Sequence, residues 1–186
     1  KAILSADGFK SGPNGVLEKD GKPFSLLMVT NVSNVTRRKS TVMVQAMLRQ
    51  IGIASSIKTY DGATLFAPAP LGVLQDGKFD LGFSGWFSGI DPDDSSQFAC
   101  KNFPPGGYNY TRYCNPQMET AQKEALEHYD RPTRKRAYAT IESLLARDNP
   151  EIFLWWDRQA QAINVDFKGF DPNPVTESWN AYQWSI

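Results

Sequence analysis

Trp86 closes the run Gly77-Lys78-Phe79-Asp80-Leu81-Gly82-Phe83-Ser84-Gly85, and three carboxylates, Asp91, Asp93 and Asp94, follow it closely. An indole offers a flat face on which a ligand can stack. A cluster of carboxylates can hold a hard cation, act as an acid/base pair, or cap a turn. In an α/β sheet, ligands bind beyond the carboxyl ends of the strands, so an aromatic residue there is a candidate platform. The plainer alternative makes Trp86 a core residue and Asp91-Pro92-Asp93-Asp94 a solvated turn.

The remaining reactive side chains are few. Cys100 and Cys114 are the only cysteines, with Pro104-Pro105-Gly106-Gly107 between them. Either they stay as two thiols, or they form a bridge that stabilises the chain by roughly 3 kcal/mol in the chain-entropy model. A bridge implies an oxidising compartment. With the single His128 they supply too few soft ligands for a metal centre, so no metal and no cofactor is expected. His128 lies among Glu124, Glu127 and Asp130 and reads as an exposed helical residue. No nucleophile elbow, phosphate-binding loop or metal-binding histidine motif occurs, so no catalytic residue is assigned and an enzyme is not expected.

The elements that must position these residues follow from pattern. Residues 24–30 form a continuous apolar run, as a buried strand does. Residues 36–51 read as a helix with Val44, Met47, Leu48 and Ile51 on its buried face, Arg37, Arg38 and Lys39 solvated, and Gly52 ending it. Residues 53–60 alternate as a strand. Asp61 or Thr64 caps a helix broken by Pro68 and Pro70, and residues 79–86 are the third strand. The order β-α-β-α-β with short links argues for a doubly wound, mainly parallel α/β sheet with flanking helices. Beyond the irregular stretch to residue 115, Asn115-Pro116 starts one helix, and another starts after Asp130-Arg131-Pro132. The second buries Ala137, Tyr138, Ile141, Leu144 and Leu145, and Asn149-Pro150 stops it. Residues 151–165 read as strand material.

Bulk composition agrees with one ordinary domain or two small ones. The 186 residues are 41% hydrophobic and 22% charged, with 20 basic and 20 acidic side chains. That balance gives no support for nucleic-acid binding. No run approaches the roughly 18 apolar residues of a membrane span, so no membrane insertion of this segment is expected. Lys1-Ala2-Ile3-Leu4 begins in mid-pattern, as a processed product or a cut fragment does.

The order of several short segments resembles the C-terminal lobe of the peptide/nickel/opine class of extracellular solute-binding proteins, the receptors of ABC importers. The segments are Asp20-Gly21-Lys22-Pro23-Phe24, Leu48-Arg49-Gln50-Ile51-Gly52-Ile53, Gly77-Lys78-Phe79-Asp80, Gly85-Trp86 with Asp91-Pro92-Asp93, Asp130-Arg131-Pro132-Thr133-Arg134 through Tyr138 to Asp148-Asn149-Pro150, and Trp179-Asn180-Ala181-Tyr182-Gln183-Trp184. Each is weak alone; together they cover nearly the whole chain. The resemblance implies a periplasmic-binding-protein type II-like lobe. It also implies residues 1–165 as the ligand-binding lobe, and a tail over 166–186 that returns to an N-terminal lobe this chain lacks.

By the same resemblance, Trp86 lines the ligand cavity and Asn31 stands at the cleft mouth. Two positions depart from the pattern. Gly89 stands where relatives carry an acid for the ligand's amino group, with Asp91 displaced nearby. Phe83 stands where a basic residue holds a peptide carboxylate. The expected ligand-lining residues are therefore Asn31, Phe83, Trp86, Phe87 and Asp91. The expected ligand is a peptide, or a neutral or sugar-like solute such as an oligosaccharide stacked on Trp86 and Phe87. The expected partners are that small solute and the permease subunits of an ABC importer, in the periplasm or outside the cell, with a lipid anchor on an upstream segment. Trp179, Tyr182 and Trp184 would lack their partner lobe, which favours self-association or a repacking of the tail. A ligand-sensing domain of a regulator with the same fold is the competing reading.

Overall fold

A computed structural model describes residues 1–186 except Ser88, Gln159 and Pro174. The chain divides into two compact units, residues 1–86 with 101–112, and residues 87–100 with 113–186.

The first unit starts with helix α1 (Ala2–Ala6) and a small antiparallel sheet of β1 (Lys10–Ser11), β2 (Leu17–Lys19) and β3 (Lys22–Pro23). Its main sheet is built from β4 (Ser25–Asn31), β5 (Ala54–Tyr60) and β6 (Leu81–Phe83), in the order β5-β4-β6 and all parallel. β4 is central, and Met28, Val29 and Thr30 are fully buried. A strand covered on both faces must be apolar throughout, which is why the run over 24–30 shows no alternation. Helix α2 (Val35–Gln50) connects β4 to β5; α3 (Gly62–Phe66) and α4 (Val73–Asp76) connect β5 back to β6. Right-handed crossovers in opposite directions place these connections on opposite faces, which makes the sheet doubly wound. Val29, Leu65 and Leu74 form the core on the α3–α4 side, with Leu27, Tyr60, Val73, Phe79 and Tyr110 packed around it.

The ends of α2 follow its sequence. The Asn34 side chain accepts a hydrogen bond from the Arg37 backbone N–H at 2.8 Å. At the other end Gly52 takes φ +89°, its N–H bonds Arg49 O, and the Ile53 N–H bonds Leu48 O. That paired arrangement needs a left-handed residue, which glycine adopts without strain. The buried face differs from expectation at one place: Met47 is exposed, and the fully buried residue is Thr41. Thr41 Oγ1 donates to Arg37 O at 2.7 Å, so its one polar atom is satisfied inside. Gln45 Nε2 donates to Ser55 O at 2.8 Å and docks the helix on β5. Together these turn the buried stripe toward residues 37, 41, 44, 45 and 48.

The second unit holds α5 (Ser95–Phe98), α6 (Pro116–Glu127) and α7 (Arg131–Asp148). Asn115 and Asp130 cap α6 and α7 by accepting from the N–H groups of Gln117 and Thr133, each at 2.9 Å. Three residues join the two helices, a length that makes them antiparallel neighbours. Phe98, Met118, Ala121, Ala125, Ala137, Ile141 and Leu144 fill the space between them, with Tyr113, Tyr138 and Leu145 at the margin. Asn149 ends α7 in the left-handed conformation at φ +48°. Cys100 and Cys114 are joined as a disulfide with their Cα atoms 4.8 Å apart. It ties together the points where the chain leaves and re-enters this unit.

Residues 151–165 do not form the expected strand; the described residues there are irregular, with Ile152, Phe153, Leu154, Trp155 and Trp156 exposed, while Gln159 lies outside the described residues. An apolar run becomes a strand only with a neighbour to bond its backbone. In the tail, Trp184 packs against Phe167 and Phe170 at ring distances of 5.3 and 5.6 Å. Trp184 therefore has partners within the tail, the repacking expected as the alternative to self-association, while Trp179 and Tyr182 are exposed. Among the described residues no helix is long and apolar enough to cross a membrane.

Candidate functional site

The carboxyl ends of β4 and β6 lie side by side, with Thr30 opposite Phe83 in register and Thr30 Oγ1 donating to Phe83 O at 3.1 Å. Three of the expected residues, Asn31, Phe83 and Trp86, are carried on these two strand ends. Asn31 Nδ2 donates to Ser33 Oγ at 3.2 Å, and Asn31 Oδ1 is buried with no donor among the described residues. A buried acceptor left unpaired costs about 1–3 kcal/mol, which makes this oxygen a candidate acceptor for a ligand donor. Trp86 is 41% exposed and lies 5.5 Å from Tyr108, which in turn stands edge-on to Tyr110 at 6.2 Å. The three rings make a stepped aromatic surface, half wet and half packed, of the kind that stacks planar or apolar ligand groups. Burial pushes the Tyr110 phenol above its ordinary pKa, with the neighbouring Tyr108 adding to the shift.

Residues 101–112 are held in this unit by Gln75, whose Nε2 donates to Gly107 O at 3.1 Å, and by the Arg112 guanidinium, which reaches Tyr110 O and Gln75 O. Sequence reasoning missed Tyr108 and Tyr110. The motif Gly107-Tyr108-Asn109-Tyr110 is visible in the chain, but its approach to Trp86 spans more than twenty positions.

Arg37 is the third residue missed. It was expected in solvent, yet it is half-buried and its guanidinium lies across the backbone of Gly85, where even a Cβ would overlap it.

The expected residues of the second unit have other surroundings. Phe87 is 83% exposed. Asp91 Oδ2 pairs with Arg134 Nη2 at 2.7 Å, and Asp91 Oδ1 accepts from Tyr138 Oη at 3.2 Å. Arg134 also donates to Ala125 O at 2.8 Å, at the end of α6. Burial first, and then the Asp91 charge, push the Tyr138 phenol up to about 12. Asp93 Oδ1 accepts from the Ser95 N–H and hydroxyl, and Asp94 Oδ1 accepts from Gln122 Nε2 at 3.0 Å. Desolvation raises the Asp94 pKa. The acidic turn thus caps and braces α5 and α6. Among the described residues no group of three His, Cys, Asp or Glu side chains is placed to hold a metal. His128 is exposed beyond the end of α6.

A doubly wound sheet whose carboxyl edge carries an aromatic shelf and open polar groups is the architecture of a type II periplasmic-binding-protein lobe. The family model for bacterial extracellular solute-binding proteins, family 5 Middle, matches residues 1–108, and the chain belongs to that family. It is 28% identical over 185 residues to the oligopeptide-binding protein AppA of Bacillus subtilis, covering 99% of this chain and 33% of the relative. It is 26% identical over 166 residues to the glutathione-binding protein GsiB of Pectobacterium atrosepticum, covering 87% and 32%. The structure of AppA from Bacillus subtilis in complex with a nonapeptide superposes with a TM-score of 0.85 at 28% identity, over 100% of this chain and 36% of that one. NikZ from Campylobacter jejuni in complex with Ni(L-His) shares the fold at a TM-score of 0.79 and 24% identity, over 100% of this chain and 38% of that one. The chain therefore spans about a third of the length of the curated relatives it matches.

Proposed function

We infer that this chain supplies a ligand-binding part of the substrate-binding component of an ABC importer, and that the solute is a peptide or a small molecule resembling one. The observation that carries this reading is the stepped surface of Trp86, Tyr108 and Tyr110 beyond the end of β6, together with Asn31 Oδ1 at the end of β4, which has no donor among the described residues. The relatives AppA, an oligopeptide-binding protein, and GsiB, a glutathione-binding protein, point to peptides and peptide-like ligands. The receptor binds without turnover and hands its ligand to permease subunits. It works outside the cytoplasmic membrane, where the Cys100–Cys114 disulfide persists. A lipid on an upstream segment anchors it, which detergent-phase partitioning of the native protein checks. Residues 166–186 form the segment that meets a second lobe.

The test is a thermal-shift screen of the full-length protein against pools of tri- to hexapeptides, glutathione, oligosaccharides and nickel–histidine. A specific ligand at a hundredfold over its dissociation constant stabilises the folded state by about 2.7 kcal/mol. A rise with peptide pools, and recovery of the peptide uncut by mass spectrometry, is the expected result. A rise only with oligosaccharides, or cleavage of the peptide, overturns the reading.

A further inference from the structure

The geometry points to Arg37 as the anchor for a carboxylate of the ligand, held beside the Trp86 platform. This rests on the peptide-binding reading above and names a residue that decides specificity within it.

Three observations converge on the guanidinium. First, Arg37 stands in the first turn of the 16-residue helix α2, followed by Arg38 and Lys39, with no acidic residue in that turn. Cations at a helix N-terminus face the positive end of the helix dipole, so this end of the helix lacks an anion twice over. Second, Arg37 does not escape into water as Arg38 and Lys39 do. It is half-buried, and its Nη2 and Cζ lie over Gly85 so closely that no other residue type at 85 leaves them in place. Third, the guanidinium has no hydrogen-bond acceptor or ion-pair partner among the described residues. A partly desolvated charge without a partner is unfavourable until something supplies the counter-charge.

Gly85 is the residue immediately before Trp86, so the cation and the ring share one strand end. A ligand stacked on Trp86 and Tyr108 brings its own charged end within reach of Arg37. A guanidinium presents a planar fork that matches a carboxylate with two parallel N–H···O bonds, which an ammonium cannot do. The neighbouring Phe83 carries no charge to compete for it.

The experiment uses the full-length protein and three peptide pools built from Ala, Gly, Leu and Ser. The first carries a free C-terminal carboxylate, the second a C-terminal amide, and the third an amide with one internal Glu. By titration calorimetry the wild type should bind the acid pool about tenfold or more tightly than the plain amide pool. R37Q should erase that difference, and R37K should keep only part of it. Should R37Q fail to fold by circular dichroism, G85A decides the matter, because its methyl displaces the guanidinium while keeping the charge. Recovery of tight binding by the Glu-containing pool alone supports the anchor and makes a side chain the source of the carboxylate. Equal binding of all three pools, or discrimination that survives R37Q and G85A, overturns the anchor while leaving peptide binding intact. Binding of no pool overturns both readings.

Discussion

The carboxyl edge of the parallel sheet and the α6–α7 hairpin treat their polar groups in opposite ways. In the hairpin the conspicuous carboxylates are committed: Asp91 to Arg134 and Tyr138, Asp94 to Gln122, and Asp148 to Tyr113, Asn115 and Arg147. At the sheet edge Asn31 Oδ1 has no donor, Arg37 has no acceptor among the described residues, and the Trp86 ring is partly bare. Satisfied groups hold a fold together; groups kept unsatisfied by their surroundings hold capacity for something else. The difference lies in the charged groups: the carboxylates of the hairpin region are paired, although Gln122 Oε1 on α6 is a buried acceptor without a donor among the described residues, whereas the candidate site keeps an unpaired cation beside a partly bare ring.

The largest contrast should come from truncating one buried and one half-exposed side chain. M118A removes a fully buried side chain between α6 and α7 and should cost about 2–5 kcal/mol of stability. It is read as a lowered denaturant midpoint. W86A should leave that midpoint within about 0.5 kcal/mol of wild type. It should instead weaken ligand binding at least about tenfold in the full-length protein, by calorimetry. Equal loss of stability in both variants would remove the distinction between the regions, and unchanged affinity in W86A would sink its role as platform.

A smaller effect should appear with pH. The Arg147 guanidinium, with hydrogen bonds from Tyr113 and Asn115, holds the Asp148 carboxyl well below the usual carboxylate range. A depressed folded-state pKa means stabilisation that is fully present above the unfolded value of about 4 and fades as pH falls through the folded value. D148N should therefore melt earlier than wild type at neutral pH, with the gap closing below about pH 4. A gap that stays constant down to acid pH would show that this carboxylate does not brace the ends of α6 and α7. The smallest effect is spectroscopic. The latest tyrosine to ionise, Tyr138 at about 12, should move toward its ordinary value in D91N, followed by ultraviolet absorbance. No movement of that last step would mean that Asp91 and Tyr138 are not joined in solution.

Local signals carried much of the architecture. The mainly apolar run over 24–30 read as a buried strand, and Gly52 marked the end of α2. Asn115 announced the cap of α6, and Asp130-Arg131-Pro132 marked the start of α7 to within two residues. The position of Trp86 beyond a strand was enough to place a candidate site at the carboxyl edge. Such features are legible because they depend on a few neighbouring residues and on periodicity.

Residues whose role depends on a distant partner were not legible. Arg37-Arg38-Lys39 has the composition of a solvated charge run, and nothing local separates the first cation from the other two. Gly85, nearly fifty positions away, lacks the Cβ that would exclude the guanidinium, and only the parallel pairing of β4 with β6 brings the two together. Tyr108 joins Trp86 through a loop pinned by Gln75. Residues 151–165 carry the side chains of a strand, yet hydrogen-bonding neighbours, not propensity, decide whether a strand forms. Periodicity, caps and turn residues therefore set most of the elements of this protein and pointed to the carboxyl edge of the sheet as the candidate site. Which polar groups are closed off there, and which are left open for a ligand, was settled by long-range packing, because burial and pairing belong to the assembled sheet and not to any stretch of chain.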